Sequence, residues 1–236
     1  PTGKAAQRLS ESIRGAKEKL SVSDDVKAAI PEQAQTLHRL LGAQGDTGRY
    51  RHDESNPLSC DVLLIDEASM IDLALMHAVL SALPPDSRLI LLGDRDQLAS
   101  VEAGSVFGDL CVAQGMSDQL SAQLAPYGVS IAPQALSSPI AECRVELTRS
   151  YRFAADSGIG TAARAAREGD AAALLQALVN SPDISHCHVA QLPAQLDKGY
   201  AAYREAAKQG DPASAFAAFL QFRVLCAHRQ GAAGVE

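Results

Sequence analysis

"DVLLIDEASMIDLALMHAVLSALPPDSRLILLGD", residues 61–94, decides the fold. Its two ends, 61–67 and 88–94, are short apolar runs that close on acids, and between them a helical pattern over 73–83 stops at Pro84-Pro85. A short apolar run bounded by turn signals is how a buried parallel strand reads. Strand, helix and strand within roughly thirty residues make a βαβ unit. The expected architecture is therefore α/β, a parallel sheet with helices on both faces.

Outward from this unit, the first third predicts a helix over 4–19, a polar linker ending in Ile30-Pro31, and a short helix in "TLHRLLGA" (36–43). There Thr36 is placed to cap, Leu37, Leu40 and Leu41 recur at helical spacing, and Gly42 closes the turn. A loop rich in Gly, Arg, His and Asp covers 45–57. Downstream, a helical stretch is expected over 106–113. Residues 115–139 have no clean period and read as a surface excursion, and "RVELTRSYRF" (144–153) reads as a strand running into a loop. Ala-rich helical patterns over 158–180 and 194–221 are broken by Gly169-Asp170 and Gly210-Asp211-Pro212. A last strand is expected over 222–227.

Composition narrows the function classes. The 236 residues are 47% hydrophobic and 21% charged, as in an ordinary soluble domain or pair of domains. With 21 Lys+Arg against 28 Asp+Glu the net charge is −7, so any nucleic-acid contact must come from a local basic groove. No signal peptide or membrane-length apolar run is visible. Five scattered cysteines (60, 111, 143, 187, 226) fit reduced thiols in the cytoplasm better than a disulfide framework. His186 and His188 fall on one face of an expected strand, with no further ligand nearby to complete a metal site.

In an open parallel sheet, ligands bind beyond the carboxyl ends of the strands, where the acids of 61–94 fall. Asp66-Glu67 after four apolar residues has the form of a Walker B motif: Asp66 can hold Mg²⁺ and Glu67 can polarise a water. Taken alone, the pair equally well ends a strand and caps the next turn. On the second strand, Gly93-Asp94 and Gln97 could reach a terminal phosphate, or be a turn with a solvated glutamine. "PTGKAA" (1–6) has the Gly-Lys of a phosphate loop. Ala5 replaces the Ser/Thr hydroxyl and no glycine precedes the pair, so by itself it reads as a helix start.

Together, "PTGKAA", "TLHRLLGA", "IDEASMID", "LLGDRDQLASVEAG" and "SYRF" resemble, in order, the RecD family of superfamily-one DNA helicases, the alpha subunits of exodeoxyribonuclease V. The likeness is densest over 61–109 and thinnest over 154–221, where "SGIG" and "REGD" carry it. It implies a RecA-like P-loop NTPase motor domain over 1–153, a helical segment over 154–221 and the start of a second motor domain over 222–236. It implies ATP and Mg²⁺ as cofactors, with Asp66 the metal ligand, Glu67 the catalytic base and Gln97 the coupling glutamine. Arg152 is implied as the arginine facing the transferred phosphoryl group, and Tyr151 as packing on the adenine. "PTGKAA" then becomes a DNA-contacting motif in which Pro1, Thr2, Gly3 and Lys4 grip a phosphate at a helix N-terminus, and Thr36 and His38 face the strand.

The resemblance further implies 5′-to-3′ translocation on single-stranded DNA beside RecB and RecC subunits in double-strand-break repair. No G-x-x-x-x-G-K-[ST] appears and the late helicase motifs are absent, so the chain alone is expected neither to hydrolyse ATP nor to unwind DNA. Three alternatives stay open: a free-standing RecD-like helicase, a non-hydrolysing RecA-like assembly module, and a P-loop kinase or small-molecule ATPase. The last gives no account of "PTGKAA", "TLHRLL" or "SYRF".

Overall fold

A computed structural model of the chain describes residues 2–45, 48–97, 104–147, 151, 153, 157–226, 228–231 and 234. The chain divides into two units, 1–147 and 148–236.

The first unit opens with α1 (Gly3–Lys19), capped where Thr2 Oγ1 accepts the Ala5 N–H at 3.2 Å. A buried serine on its inner side fixes the chain that follows: Ser10 Oγ donates to the Ala6 carbonyl (3.1 Å) and accepts the Ala34 N–H (2.9 Å). Lys17 Nζ secures the same segment, reaching the Ile30 carbonyl at 3.0 Å and Glu32 at 2.6 Å. Within the polar linker, Asp24 and Asp25 in the first turn of α2 (Asp24–Ala29) suit the positive end of a helix dipole. The short helix is α3 (Leu37–Leu41), capped by Thr36 and closed by Gly42 at φ +70°. A Cβ at Gly42 would lie 2.8 Å from Arg51 Cβ, because the 49–52 loop folds back so that the Arg51 and His52 N–H groups both reach the Leu41 carbonyl at 3.0 Å.

The βαβ unit follows as read. Strand β1 (Val62–Ile65) pairs in parallel with β2 (Arg88–Leu91), Val62 opposite Arg88 and Ile65 opposite Leu91. The crossover is α4 (Leu73–Ala82), capped where Asp72 Oδ1 accepts the Leu75 N–H at 2.7 Å. Strand alternation puts Leu63 and Ile65 on one face, in a core cluster with Leu37 and Leu41 of α3 and Leu75, Met76, Val79 and Ala82 of α4. On the opposite face Val62 and Leu64 remain 53% and 42% exposed. Both strands stop two or three residues short of the apolar runs, and those last residues, including Asp66 and Asp94, are freed into the loops at the strand tips.

After β2 come α5 (Val106–Cys111) and α6 (Asp118–Leu124). The second of these corrects the reading of 115–139 as an irregular excursion. Ser117 caps it by accepting the Leu120 N–H at 3.2 Å, and the Ser117 N–H donates to Glu142 at 2.7 Å, docking the segment on a 3₁₀ turn at Pro139–Cys143.

The second unit is helical: α7 (Gly158–Glu168), α8 (Ala171–Asn180), α9 (Leu192–Gly199), α10 (Ala201–Lys208) and α11 (Pro212–Gln221). Each Gly-Asp break is a joint between antiparallel helices. Gly169 ends α7 and Asp170 caps α8 through the Ala173 N–H (2.9 Å), while Gly210 follows α10 and Asp211 caps α11 through the Ser214 N–H (3.1 Å).

Three strand expectations fail among the described residues. Residues 144–147 and 222–226 are not strands: neither has a partner strand to take its backbone groups. Instead Phe222 packs edge-on against Tyr200 (4.9 Å between centroids) and Arg223 lies over the Phe219 ring (4.3 Å). The segment around His186 is irregular too, and His188 is a cap, its Nδ1 accepting the Ala190 N–H at 3.2 Å while its N–H donates to Gln191.

Candidate functional site

The site is built where β1 and β2 end. Past the last ladder pair, the Leu92 N–H donates to the Ile65 carbonyl and the Ala68 N–H donates back to the Leu92 carbonyl, both at 2.8 Å. These two bonds stitch the strand tips together and bring Asp66 and Glu67 beside the turn that begins at Gly93. To make the second bond the chain must reverse sharply at Glu67, which sits at φ 56°, ψ 41°, the one non-glycine residue with positive φ among those described. An L-residue held there is strained, and such strain collects at functional positions. The carboxylate before it helps to hold the bend: Asp66 Oδ1 accepts the Glu67 N–H at 2.9 Å. Among the described residues no hydrogen bond reaches Asp66 Oδ2.

Opposite, the 94–97 turn is closed on itself. Asp94 Oδ1 accepts the Asp96 N–H (3.0 Å), the Asp94 carbonyl accepts the Gln97 N–H (3.2 Å), and Gln97 Nε2 donates to Asp94 Oδ2 at 3.3 Å. Gly93 is required by close approach, since a Cβ there would come within 3.1 Å of both the Phe107 ring and the Ser69 nitrogen. Among the described residues no group of three or more His, Cys, Asp or Glu side chains is disposed to hold a metal by protein ligands alone. One or two carboxylates at the rim, Asp66 foremost, is the donor set that suits Mg²⁺, a hard cation that keeps most of its waters and takes phosphate oxygens.

The residues expected to meet DNA lie on two helix ends. Thr2, Gly3 and Lys4 are exposed at the start of α1, whose first turn contains no acid to compete with an anion. Thr36 Oγ1 caps α3 by accepting the Arg39 N–H at 3.3 Å, and His38 is exposed beside Tyr50, with ring centroids 6.2 Å apart. Ser10, through its bond to Ala34, ties the α1 helix to the chain entering α3. A cleft of about 540 Å³ next to Tyr50 is lined by Arg49, His52, Asp53, Glu54 and His77. Sequence reasoning passed over these loop residues, although the density of Arg, His and Asp over 45–57 was the available signal.

Asp66, Glu67, Gly93, Asp94 and Gln97 are thus brought to one end of the sheet. Tyr151, 83% exposed, belongs to the second unit. Pro1 and Arg152 lie outside the described residues. Among the described residues no helix is long and apolar enough to cross a membrane.

Comparison with known proteins bears on both the fold and the site. Residues 1–103 match a family model described as an AAA domain, and with the parallel β1–α4–β2 unit this identifies an α/β fold of RecA-like, P-loop type. The chain is 46% identical over 193 residues to the RecBCD enzyme subunit RecD of Haemophilus influenzae, covering 79% of this chain and 30% of that protein. It is 39% identical over 241 residues to the RecD subunit of Mycolicibacterium smegmatis, covering 100% of this chain and 38% of the relative. The ATP-dependent RecD2 DNA helicase of Deinococcus radiodurans is 43% identical over 104 residues, 44% of this chain and 12% of that protein. The chain spans roughly a third of the length of the curated RecD subunits it matches.

Proposed function

Because this chain is homologous over its whole length to RecD subunits, we propose that it is motor sequence from an ATP-dependent DNA helicase subunit that moves 5′ to 3′ on single-stranded DNA. In the intact protein it would act in the cytoplasm with RecB and RecC in an exodeoxyribonuclease V complex that repairs double-strand breaks. The observation that carries the reading is the stitched tip of β1 and β2, which sets two carboxylates and a glutamine turn at the end of the sheet where nucleotides bind.

In this reading Asp66 would hold Mg²⁺, which would offset charge on the phosphates, and the Glu67 carboxylate would orient and polarise the attacking water. Gln97 exchanges its 3.3 Å bond to Asp94 for the terminal phosphate. Arg152 supplies fixed positive charge to the transferred group and Tyr151 packs on the base. ATP, with Mg²⁺, supplies the free energy for translocation. Thr2, Gly3 and Lys4 receive a DNA phosphate at the helix end, with Pro1 before them, and Thr36 and His38 line the next stretch of strand.

The test is Glu67→Gln in the full-length protein. The amide keeps the shape and loses the base, so ATP binding should persist while DNA-stimulated hydrolysis falls by about 10²–10⁴-fold. Hydrolysis at the wild-type rate in Glu67→Gln would remove Glu67 as the base, whereas a wild-type subunit that supports the complex without hydrolysing ATP itself would favour a non-hydrolysing assembly module. Likeness to the RecD2 helicase keeps a free-standing motor as the second reading, and capture of RecB and RecC by the tagged full-length subunit separates the two.

A further inference from the structure

Ser69 is a buried polar group for which the roles above give no use. It is 6% exposed, and its hydroxyl has no hydrogen-bond partner among the described residues. A hydroxyl buried without a partner is destabilising, and alanine would fill the same site without that cost. Its position is also particular. Ser69 lies in the 3₁₀ turn Ala68–Met70 that directly follows the left-handed Glu67, and the first N–H of that turn is fixed to the Leu92 carbonyl at 2.8 Å. Its backbone nitrogen meets Gly93 so closely that a Cβ there would stand 3.1 Å away, with the Phe107 ring closing the other side at 3.1 Å. The Gly93–Gln97 turn therefore begins beside Ser69, with no room for a side chain between them. A shift of that turn bears on Ser69 and so on the residues that follow the Glu67 bend.

The turn also has a way to shift. Gln97 is held by two long bonds to Asp94, at 3.2 and 3.3 Å, the second of which must break for its side chain to reach a phosphate. We propose that Ser69 is a positioning residue for Glu67: its hydroxyl bonds to an acceptor on the Gly93–Gln97 turn once that turn resets around a nucleoside triphosphate, coupling Gln97 to the orientation of Glu67. The acceptors on that turn are the Gly93 carbonyl and the Asp94 carboxylate, the latter released as Gln97 leaves it. This inference rests on the nucleotide-site reading of Asp66, Glu67 and Gln97.

The experiment compares wild type, Ser69→Ala, Ser69→Cys and Glu67→Gln in the full-length protein. ATP turnover is measured with saturating single-stranded DNA, and melting with and without a non-hydrolysable ATP analogue. Ser69→Ala should melt no lower than wild type without nucleotide, since it removes an unpartnered group. It should also gain less stability from the analogue, keep KM for ATP within about twofold, and lose about ten- to a hundredfold in kcat. Ser69→Cys, of similar size but a weak donor, should fall between. Wild-type kcat in Ser69→Ala overturns the proposal. So does a lower melting temperature without nucleotide, because the hydroxyl would then already have its partner. Glu67→Gln separates the failures: if it also turns over normally the nucleotide reading falls, and if it alone is inactive only the role of Ser69 falls.

Discussion

The left-handed backbone at Glu67 makes a prediction whose sign is unusual. At an ordinary helical position glycine is less stable than alanine by about 1 kcal/mol. At φ 56°, ψ 41° the order should invert, because the alanine Cβ still meets the carbonyl oxygen that costs an L-residue about 1–2 kcal/mol in this region. Glycine escapes that cost but loses about 0.5–1 kcal/mol through the greater freedom of its unfolded chain. Glu67→Gly should therefore be more stable than Glu67→Ala by about 0.5–1 kcal/mol. For a cooperative unit of about 150 residues, that is a melting temperature higher by about 1–4 °C. Both variants lack the carboxylate, so the difference isolates the backbone. The assay is a thermal melt of the two full-length proteins side by side, with ATPase activity expected to be lost in both. An alanine variant that melts at or above the glycine variant would refute the bend, and with it the explanation of how the Ala68 N–H reaches Leu92.

Two further outcomes are expected. Gly42→Ala combines a φ of +70° with a Cβ placed 2.8 Å from Arg51 Cβ, so denaturant unfolding should show a loss of about 2–4 kcal/mol from strain and overpacking together. At the start of α7, the Asp183 carboxylate is held below its ordinary 3.8 chiefly by the Ile159 N–H, with the Gly158 N–H also bonded to it. A carboxylate with a lowered folded-state pKa contributes stability above its unfolded value and loses it as pH falls through the folded one. Asp183→Asn should thus unfold more easily than wild type at neutral pH, and the gap measured by denaturant titration should close below about pH 4.

Whether a feature could be read from sequence depended on whether its signal was local. The strands, α4, α1 and α3 each show a period, a cap and a stop in consecutive residues, as Thr36, the leucines and Gly42 do in α3. The βαβ connection follows because two parallel strands need a crossover and only one helical pattern lies between them. For α6 the signals were present, with Ser117 and Asp118 at the start and Leu120 and Leu124 four apart, but surrounding Ser, Ala and Pro residues masked them. The failed strands show the opposite case. "FRVLCA" is an apolar run broken only by Arg223, as a buried strand reads, yet such a run records only burial, and here Phe222 and Arg223 lie against Tyr200 before α10 and Phe219 in α11. In the site, Asp66, Glu67 and Gln97 were legible as residue types in a motif. The left-handed turn and the unpartnered Ser69 hydroxyl were not, because both lie where the tips of β1 and β2 meet, a contact that local sequence does not contain; the 94–97 loop is closed locally by Asp94, and its sequence reads equally as a turn or as a phosphate contact.

Packing also bears on how DNA contact could reach the nucleotide end. His38 is carried on a five-residue helix, too short to bend independently, whose inward Leu37 and Leu41 share one core cluster with Ile65 immediately before Asp66. The same Leu41 carbonyl anchors the 49–52 loop, and Ser10, midway along α1, ties that helix to Ala34, two residues before the α3 cap. A push on the exposed start of α3 is therefore delivered to a close-packed core that transmits strain instead of absorbing it. Contiguity does not by itself make coupling; an element with two arrangements is also required. The core offers none, because Leu41, Ile71, Met76 and Val79 are fully enclosed. The strained Glu67 bend, the long Gln97–Asp94 bond and the unspent Ser69 hydroxyl sit together at the strand tips, and they are what a displaced core has left to move.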